Sequence, residues 1–345
     1  MYPLTRSYRR LGKVIGAVAI AAFMAGCAAD VEFDDRHLQP IPRATLSLMA
    51  KKDMSASDPI FVRLFKKESE LEIWKRDQSG TFAHLKTFPM CRWSGQLGPK
   101  TQQGDRQAPE GIYHVSPELM NPRSSYHLSF NLGYPNRLEE ALGYTGDYLM
   151  VHGACSSAGC YAMTDEGVSE IYAIAREAFA GGQSAFQVQA LPFRMTAENL
   201  AKHRNNPNMA FWRNLKEGHD IFEATREVPE VSYCGRQYQF DASPVNDGDR
   251  LDPARACPAL NKDRDPAVLA YQQNVDTQLA ELIAEGMPTT AIAYSDGGMH
   301  PDFREMLQRI GPLAMSKRTS ISEVPISRPD AALADPYTLL TGSTQ

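Results

Sequence analysis

The pattern of apolar and polar positions divides the chain into a strand-rich part and a later helical part. Between about residues 59 and 189, short apolar runs recur and are separated by glycine, proline, asparagine and aspartate. In one run Leu71 and Ile73 alternate with Glu70 and Glu72, which is the period of a half-buried strand. The strands predicted in this way are 60–65, 70–74, 82–88, 111–115, 126–130, 148–152 and 185–189.

Helical periodicity is present in three segments. The clearest helix begins after Thr164 or Asp165, either of which can cap it, and ends at Gly181–Gly182. The other two segments are 197–217, interrupted at 205–207, and a helix that has Asp265 as N-cap and Pro266 as its first residue. The apolar stripe of this last helix must pack on something, so we expect it to dock on the core.

A β-rich core with a few helices, without alternating βαβ units, predicts an α+β fold. The segments expected from the sequence are a signal peptide (1–27), a linker (28–58), a β-rich domain (59–228), a helical extension (229–311) and a tail (312–345). The tail is rich in Ser, Thr, Pro and Asp and poor in periodicity, and is predicted to be disordered.

Composition offers no support for a nucleic-acid-binding protein and excludes a polytopic membrane protein. The 345 residues carry 36 Lys+Arg against 41 Asp+Glu, a formal net charge of −5, and there is no basic run of the kind that nucleic-acid binders use. A single short segment near the start is markedly apolar, which excludes a polytopic membrane protein.

The first 27 residues have the pattern of a secretory signal. A basic stretch precedes the apolar segment 14–24, which is too short to span a bilayer. The sequence Met24-Ala25-Gly26-Cys27 resembles a bacterial lipobox, in which the cysteine is acylated. That resemblance implies an exported, periplasmic protein held by a lipid anchor on Cys27, in the outer membrane of a Gram-negative bacterium. The alternative is an ordinary signal cleaved nearby.

Export changes how the cysteines are interpreted, because disulfides form in oxidising compartments. The six cysteines are Cys27, Cys91, Cys155, Cys160, Cys234 and Cys257. Cys234 and Cys257 bracket a short polar loop that a disulfide could close. A bond between Cys91 and Cys155 is possible but has no support from spacing. Cys155 is either a disulfide partner or a bystander, and the second interpretation is preferred. No cluster has the spacing of zinc ligands, so no metal is expected.

The stretch 148–163 carries the candidate chemistry. A strand delivers His152, and a glycine-rich turn presents Cys160 eight positions later. A cysteine attacks as the thiolate, and a nearby histidine is its usual activator. Gly159 lets the backbone approach a substrate, and the adjacent N–H groups could form an oxyanion hole. Taken alone, such a pair is more often a buried cysteine and a core histidine on neighbouring strands.

This segment resembles the active-site motif of YkuD-type L,D-transpeptidases, and in particular the YafK-like branch. The motif residues are His152-Gly153 followed by Ser157-Ala158-Gly159-Cys160-Tyr161-Ala162-Met163. Further matching segments are 104–105, 109–113, 121–122, 129–136 and 193–196, so the resemblance covers roughly residues 59–223.

The resemblance implies a YkuD-like β-sandwich or barrel domain that acts on peptidoglycan stem peptides without a metal or organic cofactor. It implies that Cys160 is the nucleophile and forms a thioester, and that His152 is the general base. Ser157, Gly159 and Tyr161 are expected to shape the turn and its oxyanion hole. An amine acceptor would give a crosslink or lipoprotein attachment.

The motif departs from the wider family at Ala158 and Ala162, where many members have histidine and arginine. That arginine commonly holds a substrate carboxylate, and Arg194 is one candidate to replace it. His127, Tyr126 and Tyr134 are further candidates to line the cleft, although aromatic residues on a strand also serve packing.

Two other functions remain open. An amidohydrolase would use the same acyl-enzyme but discharge it to water, releasing a wall-linked lipoprotein or trimming stem peptides. A non-catalytic wall-binding lipoprotein would use the groove as a clamp, and the intact His152 and Cys160 pair argues against it.

Overall fold

The computed structural model describes residues 35–262, 264–334 and 336–339. The predicted signal peptide and Cys27 lie outside the described residues. Within the described ranges, no helix combines the length and apolar character needed to cross a membrane.

Two mixed five-stranded sheets form the centre of the fold. Their strands are β1 (Ile60–Phe65), β2 (Glu70–Arg76), β3 (Phe82–Pro89), β4 (Arg92–Trp93), β5 (Gly111–Val115), β6 (Met120–Asn121), β7 (Ser129–Asn131), β8 (Met150–His152), β9 (Tyr161–Ala162) and β10 (Phe186–Leu191). Sheet I has the order β3-β2-β1-β10-β5, and sheet II has the order β4-β9-β8-β7-β6. One pair in each sheet is parallel, β1 with β10 and β8 with β9.

The inner faces of the two sheets share one apolar core. Val62 and Val188 of sheet I and Val151 of sheet II are fully buried in the same cluster. Phe130 on β7 meets Phe186 on β10 edge to face, with ring centroids 5.7 Å apart. The α+β class predicted from the sequence is confirmed.

Helices surround this core. They are α1 (Arg43–Lys51), α2 (Arg137–Leu142), α3 (Asp165–Ala180), α4 (Ala197–His203), α5 (Met209–Thr225), α6 (Pro266–Ala284), α7 (Pro301–Thr319, broken at Gly311–Pro312) and α8 (Pro329–Leu333). Short antiparallel pairs complete the fold: β11 (Val231–Cys234) with β12 (Gln237–Phe240), β13 (Ser243–Pro244) with β14 (Leu260–Asn261), and β15 (Ala291–Ala293) with β16 (Tyr337–Leu339). Thr164 is the N-cap of α3, where its side chain accepts a hydrogen bond from Gly167 N–H.

The strand β2 is buried on both faces, whereas its alternating pattern predicts burial on one. Leu71 and Ile73 face the shared core, and Glu72 on the other face is only 4% exposed. The difference arises because α5 covers the outer side of sheet I, where Phe222 packs on Trp74. Glu72 remains charged there because Arg63 pairs with it at 2.9 Å, and its pKa lies below the ordinary value despite burial.

The helical extension docks on the core as expected. Asp265 caps α6 through its side chain, and Val268 and Val275 are buried in the main cluster. Leu269 and Ile283, which belong to the same predicted stripe, remain 53% and 40% exposed. The stripe is therefore wider than the surface that α6 covers.

Two segments are more ordered than the sequence pattern predicts. In the predicted linker, α1 places Thr45 and Met49 against the core. In the predicted disordered tail, Met315, Ile326 and Ala332 are buried in a second apolar cluster. Their order comes from contacts with distant parts of the chain, which local periodicity does not record.

Candidate active site

The candidate nucleophile and base are brought together by the parallel pair β8 and β9. Val151 is opposite Tyr161 and His152 is opposite Ala162. Side chains alternate along a strand, so residues two positions apart lie on the same face. Cys160 is two positions before Ala162, the partner of His152, and this alternation predicts that it shares a face with His152. Cys160 directly precedes β9, and its Sγ lies 3.5 Å from the N of Met150, the first residue of the strand that carries His152.

His152 is buried, with 4% of its surface exposed. Its Nδ1 lies 2.6 Å from the carbonyl oxygen of Gly153. A carbonyl can only accept, so Nδ1 carries the proton and Nε2 keeps a free lone pair. Burial lowers the pKa of His152 to about 4, although the Gly153 carbonyl and the charge of Asp165 oppose this shift. The imidazole is therefore neutral at physiological pH.

The Cys160 thiol is partly exposed and is the only free cysteine among the described residues. The Met150 N–H donates to Sγ at 3.5 Å, and the thiol donates to the Tyr148 carbonyl at 3.7 Å. Burial raises the pKa of Cys160, while the Met150 N–H and the positive charge of Lys100 lower it by smaller amounts. The thiol and the imidazole are therefore both neutral at rest.

The turn that presents Cys160 is held by Ser157. Its hydroxyl donates to the Cys160 carbonyl at 2.7 Å and accepts from the Gly159 N–H at 3.3 Å. Gly159 has φ +136°, a conformation that favours glycine. These contacts agree with the expectation that Ser157 and Gly159 shape the turn.

Tyr161 does not belong to this turn in the way that was expected. Its side chain is fully buried, and its hydroxyl donates to the Pro109 carbonyl at 2.5 Å. Because Tyr161 alternates with Cys160 along the chain, it points to the opposite side of sheet II, into the shared core.

Tyr126 lies against the candidate base. Its ring is 4.8 Å from the His152 ring, and the residue is 43% exposed. Its carbonyl also accepts from the Gly153 N–H at 3.0 Å. Tyr126 therefore forms part of the wall beside His152.

His127 lies deeper and contacts an acidic residue. Its Nε2 is 2.8 Å from the Ser169 hydroxyl, and its Nδ1 is 3.6 Å from Asp165 Oδ2. Asp165 Oδ1 also accepts from the Ala154 N–H at 2.8 Å. A Cβ on Gly153 would lie 2.6 Å from Asp165 Oδ1, so glycine at that position allows the carboxylate to approach.

Two predicted substrate contacts are structural instead. Arg194 pairs with Glu70 at 2.5 Å and with Glu72 at 2.8 Å, and its guanidinium lies 4.4 Å from the centre of the Phe65 ring. The position of Arg194 is fixed by these sheet I groups, so the prediction of a substrate role is not supported. Tyr134 is 4% exposed, and its hydroxyl donates to the Lys100 carbonyl at 3.2 Å.

The interpretation of Cys155 as a bystander is wrong. Cys155 is bonded to Cys91 across 64 positions of the chain, with Cα atoms 5.1 Å apart. Register in sheet II brings the two together, which spacing along the chain cannot reveal. The bond between Cys234 and Cys257, suggested by their short loop, is present.

Several residues near the turn escaped the sequence analysis. Arg106 donates to the Ser157 carbonyl at 3.2 Å and pairs with Asp296 at 2.7 Å. Ser327 contacts both the N–H and the carbonyl of Ser157. The sequence analysis considered Asp165 only as a helix cap. The one sequence feature that could have indicated a role near the site is the position of this carboxylate shortly after the motif. Among the described residues, no group of three or more His, Cys, Asp or Glu side chains could hold a metal ion.

Comparison with known proteins places the chain in a family. The chain is 40% identical over 187 residues to the protein named "Putative L,D-transpeptidase YafK" from Escherichia coli strain K12, and the match covers 54% of this chain and 76% of that protein. The same values hold for its counterpart from Escherichia coli O157:H7. The chain belongs to the L,D-transpeptidase family. No family model matches it.

Two solved structures resemble this L,D-transpeptidase family member at low identity. The helical cell shape determining protein Pgp2 from Campylobacter jejuni, in a mutant form, is 18% identical, with a TM-score of 0.32 and coverage of 59% of this chain and 82% of that chain. Bdellovibrio bacteriovorus Bd1075 is 11% identical, with a TM-score of 0.28 and coverage of 52% and 79%.

Proposed function

We propose that the protein is a cysteine-dependent acyl-transfer enzyme of the cell wall, which forms a thioester between Cys160 and a peptidoglycan stem peptide. The observation that carries this proposal is the parallel pairing of β8, which contains His152, with β9, which directly follows Cys160. Membership of the L,D-transpeptidase family supports the substrate class.

The proposed first step starts from the neutral pair. As Sγ attacks the carbonyl carbon of the L-centre of diaminopimelate, the thiol proton passes to Nε2 of His152. The C–S bond forms, and the carbonyl oxygen becomes an oxyanion. Gly159 N–H is already engaged by Ser157, so we assign the oxyanion contact to the N–H of Cys160.

In the proposed second step the tetrahedral intermediate collapses. The C–N bond breaks, and the imidazolium of His152 returns the proton to the departing amine, D-alanine in the simplest case. The thioester retains acyl-transfer potential. An incoming amine deprotonated by His152 then gives a crosslink or an attached lipoprotein, whereas water gives a hydrolysed stem peptide.

The same proposal places the protein outside the cytoplasm. The lipobox-like sequence ending at Cys27 implies export and a lipid anchor, and a wall substrate is consistent with a periplasmic site of action. The intact mature protein from membranes, treated with base to cleave ester-linked acyl chains, should lose the mass of those chains. A Cys27→Ser protein with an unchanged mass would serve as control.

The decisive experiment is intact mass spectrometry of the full chain incubated with purified tetrapeptide muropeptides. Wild type should gain the mass of the acyl donor minus D-alanine, and Cys160→Ala should gain nothing. Reductant is omitted so that the Cys91–Cys155 bond stays intact. Dimeric muropeptide as the later product identifies a transpeptidase, while tripeptide alone identifies the hydrolase. Absence of an adduct on wild type contradicts the proposal and favours a wall-binding protein.

A further inference from the structure

A segment of the C-terminal region, residues 320–328, contacts two parts of the candidate active site. One is the turn that presents Cys160, and the other is Asp165, which binds the backbone after His152. We call this segment the C-terminal strap. It follows α7 and precedes α8, and Ile326 is its buried apolar residue. Ile326 lies in the cluster that contains the Cys91–Cys155 bond and Phe303 of α7. The strap is therefore packed along the disulfide that follows the His152 strand.

One end of the strap holds the turn that presents the nucleophile. Ser327 Oγ accepts from the Ser157 N–H at 3.0 Å and donates to the Ser157 carbonyl at 2.7 Å. Ser157 is 170 positions earlier in the chain. Its own hydroxyl donates to the Cys160 carbonyl at 2.7 Å. A single residue, Ser157, thus separates the strap from the candidate nucleophile.

The other end of the strap contacts Asp165, which binds the backbone next to the base. The Ile321 N–H donates to Asp165 Oδ2 at 2.7 Å. Asp165 Oδ1 accepts from Ala154 N–H at 2.8 Å, directly after the Gly153 whose carbonyl orients His152. Asp165 therefore links the strap to the backbone that fixes the imidazole.

Charged groups hold the Ser327 end of the strap in position. Arg92 donates to the Ser327 carbonyl at 3.3 Å, and Arg328 lies 3.7 Å from Asp296 Oδ2. Asp296 also binds Arg106, which donates to the same Ser157 carbonyl that receives Ser327 Oγ. The Ser157 peptide is therefore held by both Ser327 and Arg106, and each of these residues is itself held by other charged groups.

We infer that the C-terminal strap is a positioning element of the active site, in which Ser327 acts through Ser157 to set the position of Cys160. This inference rests on the proposed function for its effect on acyl transfer. Ser327 touches neither the thiol nor the imidazole. Its hydroxyl restricts the turn before substrate arrives, and a catalytic group held in place has less freedom to lose during attack.

The test compares three full-length variants with wild type. Ser327→Ala removes the hydroxyl, Ser327→Thr retains it, and Ser322→Ala is the matched control on an exposed serine of the same strap. Acyl transfer from tetrapeptide muropeptides gives kcat and KM. Alkylation of Cys160 by iodoacetamide across pH 6–10 measures the thiol without any wall substrate. Near-ultraviolet circular dichroism reports the folded fraction.

We expect Ser327→Ala to lower kcat about 10-fold with KM within two-fold, since the turn loses order rather than a substrate contact. A looser turn admits more water to the partly exposed thiol, so alkylation at pH 8 should become about 3-fold faster as the thiol pKa falls towards its ordinary value. Ser327→Thr should restore both rates, and Ser322→Ala should match wild type.

A Ser327→Ala protein with wild-type kcat and a wild-type alkylation profile would overturn the inference. So would a loss of activity that equals the loss of folded fraction and is not restored by Ser327→Thr. If no variant transfers acyl groups, including wild type, but the alkylation shift appears and threonine reverses it, the proposed function fails while the strap retains its positioning role.

Discussion

His152 donates its Nδ1–H to the carbonyl of the next residue, Gly153, at 2.6 Å. This contact fixes the tautomer, so that Nε2 is the basic nitrogen on the side of sheet II that also carries Cys160. Gly153 and Ala154 are in turn held by Tyr126 and Asp165. The base is oriented by a backbone carbonyl, and the Asp165 carboxylate in turn holds the neighbouring Ala154 N–H.

The acid limb of the pH profile follows from the pKa of His152. Burial lowers that pKa to about 4, so the base is neutral, and able to accept a proton, above this pH. We expect kcat/KM for acyl transfer to rise with pH through about 4 and to be level by pH 6. His152→Gln should lower kcat by about 10²–10⁴-fold. An acid limb centred near 6.5 would contradict the burial argument.

The reactivity of the thiol should continue to rise in alkaline solution. Burial raises the pKa of Cys160, and the resting histidine is neutral, so no preformed thiolate–imidazolium pair is expected. The rate of iodoacetamide alkylation should increase through pH 9 in wild type. His152→Gln should change this profile little, since the alkylation measures the thiolate. A plateau beginning below pH 7 would indicate an ion pair instead.

Arg194 should contribute to stability and not to substrate binding. It joins Glu70 and Glu72 on sheet I, and its side chain is 37% exposed. Arg194→Met keeps part of the packing on Phe65 and removes both ion pairs, which we expect to lower the free energy of unfolding by about 1 kcal/mol after solvent screening. Urea denaturation measures this change, and KM for muropeptides should stay within two-fold. A KM increase of 10-fold or more would restore the substrate role.

The two disulfides should differ in their effect on activity. In the chain-entropy model the Cys91–Cys155 bond, which closes 64 positions, stabilises by about 4 kcal/mol, and the Cys234–Cys257 bond, which closes 23, by about 3 kcal/mol. Paired serine substitutions at either bond should therefore lower the denaturation midpoint. Only the Cys91–Cys155 pair lies beside the strap, so only its loss should also lower kcat. Equal kcat values in the two variants would argue against that coupling.

Glu139 should make stability depend on pH. Burial raises its pKa to about 8 from an ordinary value of 4.5, although hydrogen bonds from Tyr113 and Asn136 oppose the shift. The folded protein holds this proton between pH 4.5 and 8, whereas the unfolded chain releases it. The contribution of protonated Glu139 to the free energy of unfolding is therefore complete below pH 4.5. It is lost as pH rises through 8, by up to about 1.4 kcal/mol per pH unit.

Replacing Glu139 by glutamine tests this sign directly, because glutamine resembles the protonated side chain and does not titrate. Free energies of unfolding from urea titrations at pH 5, 6.5 and 8 should fall less steeply with pH in Glu139→Gln than in wild type. Identical slopes in the two proteins would show that Glu139 is ionised in the folded state.

The sequence by itself determined the local secondary structure and the residues that carry the candidate chemistry. Alternation and turn residues predicted strands 60–65, 70–74, 82–88, 111–115, 148–152 and 185–189, whose central residues the structure confirms, and β1 and β5 have the predicted bounds. The strand predicted at 126–130 is wrong in position, since residues 126–128 form a turn and β7 is Ser129–Asn131. Thr164 capped the helix as proposed, because capping depends on the residues within one turn. The motif around His152 and Cys160 indicated the family, since the residue types needed for this chemistry lie close together in the chain.

Tertiary structure decided which residues surround that motif. Cys91 with Cys155, Asp165 with Ile321, and Ser157 with Ser327 are separated by 64, 156 and 170 positions, and no local pattern specifies such pairs. Arg194 appeared available in the sequence because its acidic partners lie on β2, more than 100 positions away. Local preferences act over a few residues, whereas the register of sheets and the packing of the tail are set by burial across the whole domain.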